Sequence, residues 1–200
     1  MYKCAMCGVR ACNVDLEKVP KNCPSLSNEM KEIGEQYNTS ENSNIAKVSG
    51  RLSTVQGKTR IEETMDFARQ CGYKKIGLAF CNALSKESQI IDKIFTYNGF
   101  EVESVMCKVG GISKECIGIK NDSKPICNPI AQAKFLNKIK TELNVVIGLC
   151  IGHDSLFIKY SEAPVTVLAV KDRVLAHNPL GAVYLADTSY KNKLFPPKDE

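Results

Sequence analysis

The segment NVVIGLCIGHDS at residues 144–155 constrains the fold of this chain more than any other stretch. Its first half is a continuous apolar run rich in β-branched residues, which is typical of a strand buried on both faces of a parallel sheet. Residues of types that bind ligands or form turns follow directly in the sequence: Cys150, Gly152, His153 and Asp154. Because open α/β sheets bind ligands at the carboxyl ends of their strands, the segment predicts a central strand that leads into a functional site.

Strand-like and helix-like segments alternate through residues 58–190. Short apolar runs predict strands at residues 75–80, 100–105, 144–150 and 165–170. Amphipathic patterns and capping residues predict helices at residues 59–71, 84–98, 129–142, 154–160 and 180–187. Such alternation gives right-handed crossovers and a parallel sheet. We therefore expect an α/β fold, a three-layer Rossmann or flavodoxin-like parallel sheet of about four strands in the order 2-1-3-4.

The chain is predicted to divide into a Cys-rich knuckle at residues 1–24, a helical connecting layer at 25–57, an α/β domain at 58–190 and a polar tail at 191–200. The connecting layer is rich in Ser, Asn, Glu and Lys. Its most loop-like part is YNTSENSN at residues 37–44, and short helices are predicted on either side, at 26–36 and 45–56. The tail, KNKLFPPKDE, is polar and interrupted by prolines.

Cysteines dominate the first 24 residues in the pattern C-x2-C-x4-C-x10-C: Cys4, Cys7, Cys12 and Cys23, with Pro24 directly after the last. The segment is too short and too polar to bury a core, and metal binding commonly supplies the folding energy of such segments. Four thiolates suit either a tetrahedral zinc site or an iron–sulfur cluster. The Cys-Pro ending resembles ferredoxin-type runs without matching their spacing, so both metals stay open.

The cysteine content also indicates the cellular compartment. The chain has 10 cysteines in 200 residues, several times the usual share. The start of the chain does not read as a secretory signal, and no apolar run is long enough to span a membrane. We expect a cytoplasmic, thiol-reducing setting, where cysteine clusters are more often metal-binding or catalytic than disulfide-forming. Cys71 is assigned to packing, and Cys116 has no assigned role.

The net charge of +5 does not predict a nucleic-acid partner. Lysines are spread along the chain without a basic run or interleaved aromatic residues, whereas an electrostatic footprint for nucleic acid requires clustering on one face. Thiolate ligands would more than cancel the charge if eight cysteines were ionised. We therefore expect no nucleic acid and no membrane among the partners, which leaves a small-molecule substrate or a redox partner.

Further cysteines fall at equivalent points of the predicted sheet. Cys81, Cys107 and Cys150 each follow the carboxyl end of a strand, and Cys127 precedes a helix. Neighbouring strands lie about 4.8 Å apart, and thiolates around one tetrahedral zinc lie roughly 4 Å apart. These four residues are therefore predicted to bind metal in a crevice at that edge. The alternative is that they are small apolar residues of the core.

Candidate catalytic residues are predicted on the same edge: His153, Asp154, Lys171, Asp172 and His177. Lys171 and Asp172 are candidates for proton transfer or for pairing with substrate charge. His153 could instead be a structural histidine beside Asp154 as a helix cap. Candidate cofactor-binding glycines are Gly110, Gly111 and Gly152. A helix start at Gly152 could hold an anion or phosphate, but no full phosphate-loop pattern accompanies these glycines.

A set of motifs covers nearly the whole chain: C-x2-C-x4-C…CP, KKIGLAFC, CKVGGI, CNPIAQAKFLN, NVVIGLCIGHDSLFIKYSEAPVTVL and VKDRVLAHNP. Together these motifs resemble an uncharacterised prokaryotic family of predicted metal-binding proteins, found largely in anaerobes. The resemblance implies a cytoplasmic metal-binding protein, and an anaerobic setting would favour iron–sulfur over zinc. It implies no substrate and no catalytic residue.

Two functions of different class follow. In the first, the crevice thiols hold an iron–sulfur cluster or a metal with an open coordination position, for redox or sulfur-transfer chemistry on a small molecule, with His153 and Lys171 near the substrate. In the second, the protein binds or handles metal without catalysis and has a structural zinc knuckle at its start. Whether the knuckle and the crevice form one site or two stays open. A nucleotide-binding module is a third alternative.

Overall fold

A computed structural model describes residues 2–120 and 124–197. The chain forms two compact units, Met1–Gln56 and Gly57–Glu200. Within the part of the chain that the structure describes, no helix combines the length and the apolar character needed to cross a membrane.

The first unit is built from short helical segments. Turns of 3-10 helix occupy its cysteine-rich start, at Cys4–Met6, Ala11–Asn13, Leu16–Lys18 and Pro24–Leu26. Helix α1 spans Met30–Glu35, a further 3-10 turn spans Gln36–Asn38, and helix α2 spans Ser40–Leu52. Val48 is the buried apolar residue of α2. A segment with so little apolar burial gains little from the hydrophobic effect, as expected from its polar composition.

The prediction that residues 37–44 form a loop is wrong, because α2 begins at Ser40. Thr39 caps this helix, and its side-chain oxygen accepts a hydrogen bond of 3.3 Å from the Asn42 N–H. The Asn42 side chain in turn donates to the Gln36 carbonyl at 2.8 Å. Ser, Thr and Asn have low helix propensity in a helix interior but stabilise a helix start, so the same residues that favour a loop here form a cap.

The second unit contains a parallel sheet that confirms the predicted fold class. Its strands are β1 (Lys75–Phe80), β2 (Glu101–Met106), β3 (Leu143–Ile147) and β4 (Val165–Ala169). Among the described residues the sheet has four strands in the order β2-β1-β3-β4, all paired in parallel. All four carboxyl ends therefore lie along one edge. The predicted order 2-1-3-4 is confirmed, and strand boundaries shift by one to three residues at most ends.

The helices between the strands are α3 (Arg60–Cys71), α4 (Ser85–Tyr97), α5 (Pro129–Lys138) and α6 (His153–Tyr160). Turns of 3-10 helix also span Asn82–Leu84 and Lys114–Ile117. Thr59 and Glu62 form a capping box at the start of α3, and Gly72 ends it with a φ of 82°. Asn128 caps α5, where its side chain accepts a 3.0 Å hydrogen bond from the Ala131 N–H. The end of α3 and the start of α5 agree with the predicted helices, whereas α5 stops at Lys138, four residues before the predicted end at 142.

The carboxyl-terminal part differs from the prediction of one helix at 180–187. Helix α7 spans Leu180–Tyr184, and α8 spans Lys191–Leu194 within the segment predicted to be a polar tail. The Tyr190 carbonyl accepts hydrogen bonds from the Lys193 and Leu194 N–H groups. The helix stops before Pro196, since proline disfavours helical geometry in the preceding residue. Residues 198–200 of the predicted tail lie outside the described residues.

The core of the second unit has a layer on each face of the sheet. The layer beside α3 and α4 contains Met65, Ala68, Ile76, Leu78, Leu84, Phe95, Phe100, Leu143, Val145 and Ile147. The layer beside α5 and α6 contains Ala79, Cys107, Ala133, Leu136, Val146, Leu149 and Phe157. Successive residues of β1 and β3 enter opposite layers, as the two-residue period of a strand requires. Burial of these side chains on both faces is the main stabilisation of the fold.

A buried polar network on β3 packs against β1 within this core. The Asn144 side chain is fully buried and hydrogen-bonds to Thr141 and Ser161, each at 2.8 Å. It occupies the space above Gly77, where an added β carbon would lie 2.1 Å from the Asn144 side-chain oxygen. Because all polar groups of the asparagine side chain need partners inside a core, the missing side chain at Gly77 is what allows this network.

Replacing Gly77 with alanine should therefore destabilise the second unit by about 1–3 kcal/mol, because the new methyl group overlaps the Asn144 amide and the Leu136 side chain. Chemical unfolding followed by circular dichroism measures the change. The matched control is Gly50→Ala in α2, where no atom lies within 4 Å of the new methyl group. An unchanged unfolding midpoint for Gly77→Ala would contradict this account of the packing.

Candidate functional site

Three cysteines from separate segments meet at the carboxyl edge of the sheet. Cys81 follows β1, Cys107 follows β2 and Cys127 lies just before α5; we call these three residues the thiol cluster. Main-chain hydrogen bonds connect the three segments. The Cys107 N–H donates to the Phe80 carbonyl at 2.9 Å, and the Asn128 N–H donates to the Cys107 carbonyl at 2.7 Å. Each cysteine is thus placed by the backbone of its neighbours.

The thiol cluster is embedded in the apolar layer beside α5 and α6. Cys107 is only 2% exposed, while Cys81 and Cys127 are partly buried and pack against the same layer. The thiols of Cys127 and Cys81 lie near enough to the Cys107 thiol to interact with it electrostatically. The Cys107 sulfur also accepts a hydrogen bond of 3.3 Å from the Asn82 N–H. The cluster therefore combines thiol contacts with an apolar surrounding.

This environment controls the protonation of Cys107. Burial raises its pKa to about 11, and the nearby thiols of Cys127 and Cys81 add to the increase, whereas the hydrogen bond from Asn82 opposes it. Desolvation disfavours the charged form of an acid, and neighbouring negative charge does the same. Cys107 is therefore a neutral thiol at neutral pH when no cation is bound.

Gln132, which was not predicted from the sequence, connects the segments that carry the thiol cluster through hydrogen bonds of its side chain. Its side chain is fully buried on α5, and its amide nitrogen donates to the Val105 carbonyl at 2.6 Å and to the Phe80 carbonyl at 3.3 Å. Its amide oxygen has no hydrogen-bond partner among the residues that the structure describes. A signal existed in the sequence, because position 132 falls on the apolar face of the helix defined by Pro129, Ala133 and Leu136.

Cys150 was predicted to bind metal together with the thiol cluster, but its described contact is different. Its sulfur accepts a hydrogen bond of 3.1 Å from the Arg173 guanidinium, a partner that sequence reasoning also missed. Cys150 is not among the residues that pack with the thiol cluster in the described ranges. A guanidinium favours a thiolate but repels a metal cation. The metal-ligand prediction for Cys150 stays untested.

The candidate catalytic residues His153 and Asp154 form the start of α6. Their N–H groups both donate to the Cys150 carbonyl, at 2.9 and 3.1 Å. The Asp154 carboxylate accepts a 2.8 Å hydrogen bond from the Ser155 N–H. The predicted cap at Asp154 is instead Gly152, with a φ of 81°. Since its first N–H groups are already bonded, this helix start offers an anion few free donors.

Asp172 and His177 form one compact turn after β4. The Asp172 carboxylate accepts hydrogen bonds from the Val174 and Leu175 N–H groups, both at 2.8 Å, and these bonds lower its pKa. The His177 Nδ1 atom accepts a 3.2 Å hydrogen bond from the Asp172 N–H, so the neutral ring carries its proton on Nε2. A lowered pKa makes Asp172 a weak base, and its contacts make it a structural residue of the turn.

The remaining predicted residues on this edge lie in turns. A β carbon placed on Gly148 would lie 3.6 Å from Lys171 Cε, so Lys171 extends along the end of β3. Gly110 and Gly111 have φ angles of 88° and 56° in the turn after β2. Gly110 lies beside the Asn128 side chain, which donates to the Val109 carbonyl at 3.5 Å. These glycines permit left-handed turns, and their cofactor role stays a prediction.

The cysteines of the first unit surround a cavity. Three of the four predicted knuckle ligands, Cys4, Cys7 and Cys23, line a space of about 150 Å³. Cys12 lies in a neighbouring 3-10 turn, is exposed and does not line the cavity. Hydrogen bonds from the Arg10 and Val9 N–H groups lower the pKa of Cys7. These bonds favour the thiolate form of Cys7, which is the form that metals bind.

No group of three or more His, Cys, Asp or Glu side chains in residues 2–120 and 124–197 has an arrangement that would hold a metal ion without adjustment. The donor types nevertheless fit zinc and iron–sulfur clusters, which both prefer cysteine thiolates. In the thiol cluster, two of the three side chains are partly exposed and can rotate about a single χ1 bond. Ligation would therefore require these side chains to rotate.

The fold and the site define the class of this protein: a cysteine-rich α/β protein with thiols grouped at the carboxyl edge of a parallel sheet. Residues 22–168 match the family described as Protein of unknown function (DUF1847), and the chain belongs to this family. The chain is also 45% identical over 188 residues to an uncharacterised protein of Methanocaldococcus jannaschii, covering 91% of this chain and 93% of that protein.

These comparisons confirm that the chain belongs to an uncharacterised family, as its motifs indicated. Metal binding and an anaerobic source stay predictions. The matched range includes Cys23, the thiol cluster and Cys150, whereas Cys4, Cys7 and Cys12 precede it.

Replacing Gln132 with methionine should raise the alkylation rate of Cys107 in the metal-free protein by roughly fivefold. The change removes the donor that ties α5 to β1 and β2, and loss of about 1 kcal/mol of hydrogen bonding favours local opening by that factor. Mass spectrometry after timed alkylation measures each thiol separately. Gln89→Met, at an exposed position of α4, is the control. Equal rates in the two variants would show that Gln132 does not position the cluster.

Proposed function

We propose that this protein binds a thiolate-coordinated metal centre, a zinc ion or an iron–sulfur cluster, at the thiol cluster. The observation that carries the proposal is the convergence of Cys81, Cys107 and Cys127, which come from distant parts of the chain, at one edge of the sheet. Core cysteines have no physical reason to gather at strand ends, whereas metal ligands must meet in space. Thiolate sites of this kind persist in reducing compartments, so the proposal includes a cytoplasmic location.

The number of thiols suggests what kind of centre this is. Three protein ligands around a metal leave one coordination position for water or substrate, which is typical of catalytic rather than structural sites. A bound centre of this type would supply Lewis-acid or redox chemistry at that position. The chain itself supplies the apolar layer beneath the thiols, which limits the access of water to Cys107. Gln132 holds the strand ends at a fixed spacing.

We further propose that the carboxyl ends of β3 and β4 bind the substrate. Arg173 and Lys171 carry positive charge there, and His177 has an Nε2–H available as a donor. Cationic groups and a hydrogen-bond donor suit an anionic small molecule, such as a carboxylate or a sulfur oxyanion. The reaction class that fits thiols beside such a pocket is redox or sulfur-transfer chemistry on that molecule.

The cavity lined by Cys4, Cys7 and Cys23 is proposed to hold a separate structural metal. Cys12 would serve as the fourth ligand after a rearrangement of its 3-10 turn, completing the tetrahedral set that structural zinc requires. The first unit buries little apolar surface, so metal binding would contribute directly to its stability.

The contacts of Asp172 favour a second candidate, a protein that binds or handles metal without catalysis. Its carboxylate already accepts hydrogen bonds from two backbone N–H groups, and its lowered pKa makes it a poor proton acceptor. The first N–H groups of α6 are likewise occupied. A site with few free acid–base groups suits storage or transfer of metal better than proton-transfer catalysis.

Metal analysis of protein purified without oxygen tests the proposal. We expect about one metal centre to be lost in each single variant Cys81→Ser, Cys107→Ser and Cys127→Ser, because the three thiolates share one site. The double variant Cys4→Ser/Cys7→Ser should lose a different centre and leave the second unit folded. Visible absorbance and acid-labile sulfide distinguish an iron–sulfur cluster from colourless zinc.

Cys116→Ser, in an exposed turn, is the matched control and should keep its full metal content. A Cys150→Ser variant that loses the same centre would add Cys150 to the ligands, in spite of its contact with Arg173. Full metal content in all three variants of the thiol cluster would refute the proposed site.

Metal affinity at the thiol cluster should rise steeply with pH. The pKa of Cys107 is about 11, so at pH 7 the bound metal must displace its proton, and affinity gains up to about tenfold per pH unit from this residue alone. Calorimetry in buffers of different ionisation enthalpy counts the protons released. Cys107→Ser should release one proton fewer, and Cys116→Ser the same number as the unmodified protein. An affinity that does not change between pH 6 and 9 would contradict metal ligation by Cys107.

A further inference from the structure

Cys107 and Cys127 are neighbours at the carboxyl edge of the sheet. Both side chains belong to the same packed layer, and their thiols interact electrostatically. Their backbones are also adjacent, because the N–H of Asn128 donates to the Cys107 carbonyl at 2.7 Å. A disulfide requires α carbons about 4.4–6.8 Å apart and side chains directed toward each other. The main-chain bond between Cys107 and the residue after Cys127 brings the two backbones close together, and rotation about χ1 directs the two thiols toward each other.

We propose that Cys107 and Cys127 form a redox-active dithiol, which closes to an intramolecular disulfide on reaction with a low-molecular-weight disulfide. This reactivity does not depend on the proposed metal site. The two sulfurs would then have two alternative reactions: they bind a metal cation, or they form a covalent bond with each other.

The different exposure of the two cysteines determines which of them reacts first with the disulfide reagent. Cys127 is partly exposed, whereas Cys107 is 2% exposed, so an external disulfide reaches Cys127 first. The Cys127 thiolate attacks one sulfur of the reagent, its S–S bond breaks, and a mixed disulfide forms on Cys127 while one reagent thiol leaves. The Cys107 sulfur then attacks the Cys127 sulfur and releases the second reagent thiol. Two protein thiols are oxidised, one reagent disulfide is reduced, and the two protons end on the reagent thiols.

The third member of the cluster is less suited to this role. The Cys81 N–H donates to the Ile147 carbonyl at 3.1 Å, which directs the backbone of Cys81 toward β3. Its thiol also interacts electrostatically with Cys107, but less strongly than the Cys127 thiol does. Cys150 is engaged with Arg173. The structure thus favours one pairing, between Cys107 and Cys127, among the thiols on this edge.

The test uses the full-length chain, freed of metal with a chelator, and oxidised glutathione as the probe. After alkylation of the remaining thiols and proteolysis, mass spectrometry identifies linked peptides. We expect a peptide that joins Cys107 to Cys127 as the main product, and its disappearance when a dithiol reductant is added. Because this result is read from the unmodified protein, it does not depend on any variant being folded.

Variants then test the order of attack. Cys107→Ser should stop at the mixed disulfide and accumulate roughly tenfold more glutathione on Cys127, because the intramolecular thiol that resolves it is absent. Cys116→Ser is the control and should give the same linked peptide as the unmodified chain. A stable glutathione adduct on Cys127 in the unmodified protein, or preferential linkage of Cys107 to Cys81, would overturn the proposal.

Addition of zinc before oxidation separates this inference from the proposed metal site. Protection of the pair by zinc would support both proposals, since a thiolate that binds metal is not free to attack a disulfide. A linked peptide that forms equally fast with zinc present would support the dithiol and contradict metal binding by these two cysteines. Zinc binding without any linked peptide in the metal-free protein would overturn the dithiol alone.

Discussion

The Phe80 carbonyl oxygen is the point on which the arrangement of the thiols depends. It accepts the Cys107 N–H at 2.9 Å and the Gln132 side-chain amide at 3.3 Å, so β1, β2 and α5 meet at one atom. A carbonyl oxygen has two lone pairs, and both are used here, inside a core where an unmade hydrogen bond is costly. The positions of Cys81, Cys107 and Cys127 follow from this contact, because each lies within a few residues of a group that makes it.

The apolar surroundings of the thiol cluster determine what the Cys107 sulfur can bind. Burial disfavours an uncompensated thiolate, so Cys107 keeps its proton until something replaces it. A cation can do so by neutralising the charge, and another sulfur can do so by forming a covalent bond. Under the two proposals made above, proton, metal and disulfide are alternative states of the same sulfur atom. Metal supply and the redox potential of the compartment would then determine which state dominates.

Local signals predicted the architecture well and the finer contacts of the site poorly. The alternation of apolar runs with capped helices was enough for the strand order, and capping residues placed the end of α3 and the start of α5 correctly. The start of α2 was missed because cap residues and loop residues have the same composition. The partner of Cys150 could not be foreseen, since Arg173 reaches it from a turn 23 positions away whose path no local pattern specifies. Such side-chain pairs depend on tertiary geometry alone.

The packing of Gly77 against Asn144 has a consequence for how sequences of this family can diverge. A side chain at position 77 and an amide at position 144 compete for one volume, so neither residue can be exchanged freely while the other is retained. We expect a relative that has lost the glycine to have lost the asparagine as well, together with the reason to keep Thr141 and Ser161 polar. Joint replacement at these sites would therefore mark the branches in which the interior was rebuilt.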